Sequence, residues 1–370
     1  MQLPKKKQTI AEFEESIQVK ELIVWGRSKA CVEVCNRYDV TYIIDRNDEL
    51  CDQTVGRVKI YQPARLYAED PAKIVILICT AEKYVREIVS ALLEIGDFTI
   101  FFWNVLTNEF LNRISGELYD NRERIAKVKR QLYDDCSKRI FQEVVNRRIC
   151  GVNTGYSDLK IQNEIQYVFQ PALMSKKDGI LLDLGGYIGD SVERFVNFLG
   201  DDLSGIYTFE ALAENIKRIE DKKETLGRHW KGTLKIFPYA VSDQKGEIVF
   251  YETEKKGACF SPAFRSTTKY AQMPPVNQFM VETVAIDDVI DADERIRFIK
   301  MDIEGAEYEA LLGAKKTILR EKPGLAISIY HNAADYYRLA ELIKEYVPDY
   351  KMAVRHHKDK HVDTVLYAWI

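Results

Sequence analysis

One stretch constrains this chain more than any other: Ile180-Leu-Leu-Asp-Leu-Gly-Gly-Tyr-Ile-Gly-Asp-Ser191. An apolar run reaches Asp183, a glycine-rich turn follows, and Val192 to Leu199 then has a helical pattern. A strand that passes through such a turn into a helix belongs to a βαβ unit in a parallel sheet. The next apolar run, Gly205-Ile-Tyr-Thr-Phe209, ends in Glu210. In this layout Gly185, Gly186 and Gly189 let the backbone approach a ligand, and the helix N-terminus faces it. Glu210, at the next strand end, can accept hydrogen bonds from both hydroxyls of a ribose. Asp183 can position the turn and attract an ammonium group. The stretch predicts a cradle for a nucleotide-shaped ligand.

The same alternation continues to the end. Strands are predicted at Leu234–Tyr239, Arg297–Met301 and Leu325–Tyr330, with helices at Ala213–Leu226, Ala306–Leu319 and Ala333–Tyr346. Glu247–Tyr251 and Phe279–Val284 read as a strand pair around a long loop, and Tyr350–Arg355 and Val362–Trp369 as a closing pair. The turn His356 to His361 between the latter reads as solvated. The expected fold class is α/β: a doubly wound sheet with an antiparallel end over 178–370.

A smaller Rossmann-like α/β domain is expected over 1–105, with strands at Glu21–Trp25, Val40–Ile44, Lys73–Cys79 and Phe98–Trp103. Only Gly26 stands where a dinucleotide fold wants three glycines, so a degenerate sheet is expected there, with Arg27 and Asp45 the residues to test. Residues 106–177 read as a helical connector. Its apolar stripe of Ile125, Val128, Leu132 and Cys136 suits packing within the chain or a homodimer. Ile161–Val168 reads as a short amphipathic element.

Totals exclude several partners. With 53 Lys and Arg against 57 Asp and Glu, the chain lacks the basic excess of a nucleic-acid binder and has no polybasic membrane patch. No apolar run approaches the length of a bilayer span, and no signal-peptide pattern stands at the start. Seven scattered cysteines without a CxxC read as free thiols in a reducing cytoplasm.

Over about Asp178 to Ile370 the chain resembles the FkbM family of S-adenosylmethionine-dependent methyltransferases. The resemblance rests on Asp183-Leu-Gly-Gly-Tyr-Ile-Gly189, Phe209-Glu210 with Asn215, Ala240-Val-Ser-Asp243, Ala285-Ile-Asp-Asp288 and Ile299-Lys-Met-Asp-Ile-Glu-Gly-Ala-Glu307. Where the family often has Ala-Asn, this chain has Gly186-Tyr187. The resemblance implies a class I methyltransferase sheet with S-adenosylmethionine as cofactor. It implies Asp183, Gly185, Gly186, Tyr187, Gly189, Glu210, Ala240, Val241 and Asp302 as cofactor-binding residues. It also implies O-methylation of a glycan or small hydroxylated metabolite.

For the transfer itself, His331 at a strand end is expected as base, with Asp302 and Glu304 facing the site. Glu304 and Glu307 would share a helix face if the helix began there, and Asp302, Glu304 and Glu307 could together hold Mg²⁺. The loop Glu252 to Gln278 is expected to be a substrate lid, with Arg265, Ser266 and Lys269 as acceptor contacts. Two other readings stay open: an NAD(P)-dependent oxidoreductase, although Leu184 holds the first glycine position of its fingerprint, and a non-catalytic nucleotide-binding or assembly module.

Overall fold

Glu21 to Trp25 is almost wholly apolar and buried, and it forms β1 (Glu21–Trp25) at the middle of a six-stranded sheet. The other strands are β2 (Tyr42–Ile44), β3 (Thr54–Val55), β4 (Val58–Tyr61), β5 (Ile74–Ile78) and β6 (Thr99–Phe102), in the order β3-β4-β2-β1-β5-β6. All neighbours are parallel except β3 and β4, a hairpin in a span that the sequence pattern left unassigned. The helix Lys29–Arg37 begins at Ser28, whose Oγ accepts from Cys31 N. Phe13, Val24, Leu77 and Phe101 lie in the core of this sheet. Gly26 has φ +101°, and Asp45 accepts from the backbone N–H of Arg27 and Asn47 at 2.8 and 2.9 Å. The two residues thus meet through the backbone, in a self-contained turn.

The computed structural model describes residues 4–252, 259–260 and 277–370. The chain forms two compact units, one of residues up to 122 with 142–158 and 359–361, the other of 123–141, 159–358 and 362–370. Residues 106–177 are therefore shared between the units.

The second unit is built on a seven-stranded sheet. Its strands are β7 (Ile180–Leu184), β8 (Gly205–Phe209), β9 (Thr233–Phe237), β14 (Ile296–Met301), β15 (Gly324–Ser328), β16 (Lys351–His356) and β17 (Thr364–Trp369). They run in the order β16-β17-β15-β14-β7-β8-β9. The five from β15 to β9 are parallel, and β17 and β16 close the sheet antiparallel. The chain leaves β7 towards β8 and β9, then returns to the other side of β7 as β14. That reversal opens a crevice at the carboxyl ends of β7 and β14, where open α/β sheets bind ligands. Leu181, Phe195, Ile206, Ile219 and Phe298 pack in its core. A second sheet, in the order β10-β13-β11-β12, holds β10 (Ala240–Val241), β11 (Gly246–Glu252), β12 (Cys259–Phe260) and β13 (Asn277–Val284).

Three local expectations are corrected. Residues 161–168 are turns and not an amphipathic element, because Asn163 and Tyr167 take left-handed backbone at φ +65° and +68°. The expected helix from Ala306 breaks at Ala314 into Glu307–Gly313 and Lys315–Glu321. His356 is buried with Nδ1 2.8 Å from Thr364 Oγ1, so it is not solvated, and the half-buried His357 has Nε2 3.1 Å from Tyr367 OH. Six described cysteines are free thiols, and no helix among the described residues is long and apolar enough to cross a membrane.

Candidate functional site

The glycine turn leaves β7 with Gly185 at φ +85° and Gly189 at φ +75°. A Cβ on Gly185 would stand 2.1 Å from the carbonyl oxygen of Asp302, and one on Gly186 would stand 2.2 Å from Thr208 Oγ1. Both positions need glycine on space, and Gly185 also needs it on backbone conformation. The N–H groups of Gly185 and Gly186 donate to Phe209 O at 3.0 and 2.9 Å, which ties the turn to β8. One residue further, Glu210 accepts from Tyr187 N at 2.8 Å and Leu212 N at 2.9 Å. Burial raises its carboxyl above the usual range, against the pull of those two hydrogen bonds and of Asn215. Three donors leave the carboxylate with acceptor capacity for a ligand.

A cavity of about 500 Å³ opens over these groups. Of the predicted residues, Gly185, Tyr187, Glu210, Ala240, Val241, Asp302 and Glu304 line it. Asp183, Gly186, Gly189 and His331 are buried and are not among its lining residues. Arg265, Ser266, Lys269 and most of the expected lid lie outside the described residues.

Asp183 therefore supports the turn from below. It is 0% exposed, takes hydrogen bonds from Ser191 Oγ (2.7 Å) and Thr208 Oγ1 (3.3 Å), and pairs with Lys300 Nζ at 3.0 Å. Lys300, one residue before the end of β14, also donates to Gly185 O at 2.6 Å and Leu184 O at 3.3 Å. Burial works against its charge, but Asp183 and Asp302 outweigh this and hold its pKa above the ordinary value. The sequence signal was present: a lysine interrupting the apolar run Phe298-Ile-Lys-Met301 needs a buried partner.

The acids after β14 separate by role. The turn bends sharply, with Glu304 at φ +56° and Gly305 at φ +99°. The following helix begins only at Glu307, so Glu304 and Glu307 do not share a helix face. Glu307 is fully buried, accepts from Ile303 N at 3.0 Å, and holds His331 Nδ1 at 2.9 Å. His331 Nε2 lies 3.5 Å from both Asp302 Oδ1 and Glu304 Oε2. Burial would strip the imidazole of its proton, but Glu307, Glu304 and Asp302 overcome this and push its pKa up to about 10. His331 is fully buried, is not among the cavity's lining residues and has Glu307 against Nδ1, so it does not present a ring nitrogen to an acceptor as its strand-end position suggests. Burial pushes Asp302 up, yet His331, Lys300 and hydrogen bonds from Tyr167 and Ser328 carry it below the usual range. Glu304 ends near 7: burial raises it, His331 draws it back, and Asp302, Glu307 and Asp363 raise it again.

Asp302, Glu307 and His331 bring ligand-type atoms within 4.8 Å of one another. His331 stands between Glu307, 2.9 Å from Nδ1, and Asp302 and Glu304, each 3.5 Å from Nε2, and Glu307 is fully buried and not among the lining residues. The residues thus do not fit the Mg²⁺ expected on Asp302, Glu304 and Glu307.

Several lining residues escaped the sequence pattern: Gln166 and Tyr167 from the expected connector, Ile248 and Phe250 from β11, and Lys358 and Asp363 from the turn before β17. Tyr167 OH donates to Asp302 Oδ2 at 2.5 Å, and Tyr330 OH donates to Oδ1 at 3.2 Å. Tyr167, Tyr187, Glu304 and Asp363 all hold left-handed backbone, at φ +68°, +47°, +56° and +63°, and all line the cavity. Such conformations cost of order 1–3 kcal/mol each in a non-glycine residue and gather where a ligand is held.

Residues 183–350 match the family described as Methyltransferase FkbM domain. The chain is 25% identical over 182 residues to the 2-O-methyltransferase NoeI of Sinorhizobium fredii, covering 46% of this chain and 70% of that protein. Its fold matches the crystal structure of Methyltransferase FkbM from Methylobacillus flagellatus KT, with a TM-score of 0.56 at 20% identity, over 98% of this chain and 94% of that one. A Rossmann-like sheet and a glycine turn at its switch point coincide with a match to the Methyltransferase FkbM domain that begins at Asp183 and ends at 350.

Proposed function

We propose that the chain transfers a methyl group from S-adenosylmethionine to a hydroxyl oxygen of a glycan or small hydroxylated acceptor. The observation that carries the donor half is Glu210. Its carboxylate stands at the end of β8, across the glycine turn from β7, on the wall of a cavity of about 500 Å³. Glu210 would take the ribose hydroxyls, Ala240 and Val241 the adenine, and Gly185 the close approach of the methionine portion. Asp302, kept ionised by its neighbours, would take the ammonium, with Asp183 and Lys300 supporting the turn. Bound there, the donor supplies a methyl group already activated on sulfonium sulfur. The protein then has to align the acceptor and accept its proton. The 2-O-methyltransferase relative supports oxygen as the receiving atom.

Gln166, Glu304, Lys358 and Asp363 offer the hydrogen-bonding wall a polyol needs, while Ile248 and Phe250 offer an apolar one. The readings left open by the sequence find a test in the same assay. Incubation with methyl-labelled donor and neutral methyl glycosides bearing free vicinal hydroxyls should yield a methyl ether, identified by mass. Donor binding with label in no acceptor, from this panel or a cell extract, would leave a binding module as the better reading.

A further inference from the structure

We propose that Glu304 is the general base of the methyl transfer, and that His331, clamped from behind by Glu307, is the positioning residue that fixes it. The proposal rests on the methyltransferase reading above and adds the group that completes the chemistry.

Geometry carries it. Glu304 lines the cavity with its side chain 40% exposed, whereas His331 is 0% exposed and does not reach the lining. Its carboxylate is aimed by backbone: φ +56° at Glu304 and +99° at Gly305 turn the chain away from the helix that follows. A second layer holds that turn. Asn332 Nδ2 donates to Gly305 O at 3.1 Å and to Asp335 Oδ2 at 3.0 Å, and Arg338 Nε donates to Asp335 Oδ1 at 2.7 Å. His331 faces Glu304 Oε2 from one side with Nε2 at 3.5 Å, and Glu307 fixes the ring through Nδ1 at 2.9 Å.

The groups that face Glu304 are Asp302 at the end of β14, Glu307 at the helix start, Tyr330 and His331 beyond β15, and Asp363 before β17. The three acids raise its proton affinity and His331 lowers it. The balance leaves a carboxylate near 7, suited to taking a proton from a hydroxyl at neutral pH. In the step, the acceptor's O–H bond breaks and its proton passes to a Glu304 oxygen. The oxygen's electron pair forms the new C–O bond. The methyl–sulfur bond breaks with its pair left on sulfur. Asp302 is the weaker base, because His331, Lys300 and the hydrogen bond from Tyr167 favour its ionised form.

The test uses the full chain with S-adenosylmethionine and the neutral methyl glycosides. Glu304→Gln should lower kcat by about 100-fold or more, the usual range for a lost general base, while donor Kd stays within about twofold. His331→Gln removes the cation beside Glu304, so the acid limb of the pH profile should move up. His331→Gln/Glu307→Gln replaces the buried ion pair by two amides and should show the same shift if the single variant folds poorly. Independently of turnover, ¹³C-carboxyl spectra of glutamate-labelled protein should contain a resonance titrating near 7, absent in Glu304→Gln. A wild-type rate in Glu304→Gln, or no carboxyl titrating between about 6 and 8, overturns the proposal. Failure of the wild type to bind donor would instead overturn the methyltransferase site on which it rests.

Discussion

Lys300 and Asp183 show how single residues set this site. Each is buried, each satisfies the other at 3.0 Å, and together they hold the turn of Gly185 from below. Removing one partner leaves an uncompensated buried charge, so Lys300→Met should cost about 3–5 kcal/mol in urea unfolding. His331 gives a second prediction. Its folded pKa of about 10 lies above the ordinary 6.5, so its proton is bound more tightly in the folded protein. The stability this supplies is fully present below about 6.5 and is lost as pH rises through about 10. Unfolding free energy should fall across that alkaline range in the wild type and fall less in His331→Gln. Of these residues, the sequence pointed to Asp183 and His331 by their places at strand ends; Asp183 positions the turn as expected, whereas His331 stands buried against Glu307. Strand-end position says where a side chain starts and nothing about what it meets. Only the approach of Glu307 to His331, and of Lys300 to Asp183, decides which groups face the ligand.

The turn between β7 and the helix Asp190–Leu199 is the element on which donor binding depends. Gly185→Ala would bring a methyl group to 2.1 Å from Asp302 O at a backbone φ of +85°, a clash and a strained conformation together. The variant should lose donor binding by at least about tenfold in calorimetry, with the strain alone worth about 1–3 kcal/mol. This element was legible because glycine spacing, an apolar run and a following helical period coincide within a dozen residues. Residues 161–168 were not legible. Their apolar spacing suggested an amphipathic segment, yet Asn163 and Tyr167 turn left-handed and deliver Tyr167 to Asp302. The turn before β17 was misread in part: its charges suggested solvated histidines, whereas His356 is buried against Thr364 and Asp363 reaches the cavity wall. Local pattern reports period and polarity, and long-range contacts decide what a turn faces.

Across the whole chain, two sheets carry the parallel alternation that the sequence displays, and each unit has its own apolar core. Nearly every predicted strand was placed, since buried parallel strands read as continuous apolar runs. The hairpin of β3 and β4 was missed because its strands are two and four residues long and carry no sustained alternation. In the second unit the glycine turn borders a cavity of about 500 Å³ that Glu210 lines; in the first, Asp45 closes a turn through Arg27 N and Asn47 N. Donor should therefore slow amide exchange at 185–189, 210–212 and 240–241 and leave 22–25 and 75–78 unchanged. Because His331 sits among these acids, within 3.5 Å of Asp302, Glu304 and Glu307, extensive dialysis against a chelator should leave methyl transfer intact, measured by label incorporation.

The account's central claim is that Glu210 and the glycine turn hold S-adenosylmethionine. Calorimetric titration of the full chain with S-adenosylmethionine, with NAD as comparator, tests it most directly. The account predicts one site for S-adenosylmethionine in the second unit, no measurable heat with NAD, and a loss of affinity of at least about tenfold in Glu210→Ala, as expected when hydrogen bonds to a charged group are removed. Binding of NAD in preference to S-adenosylmethionine, or unchanged S-adenosylmethionine affinity in Glu210→Ala, would contradict it.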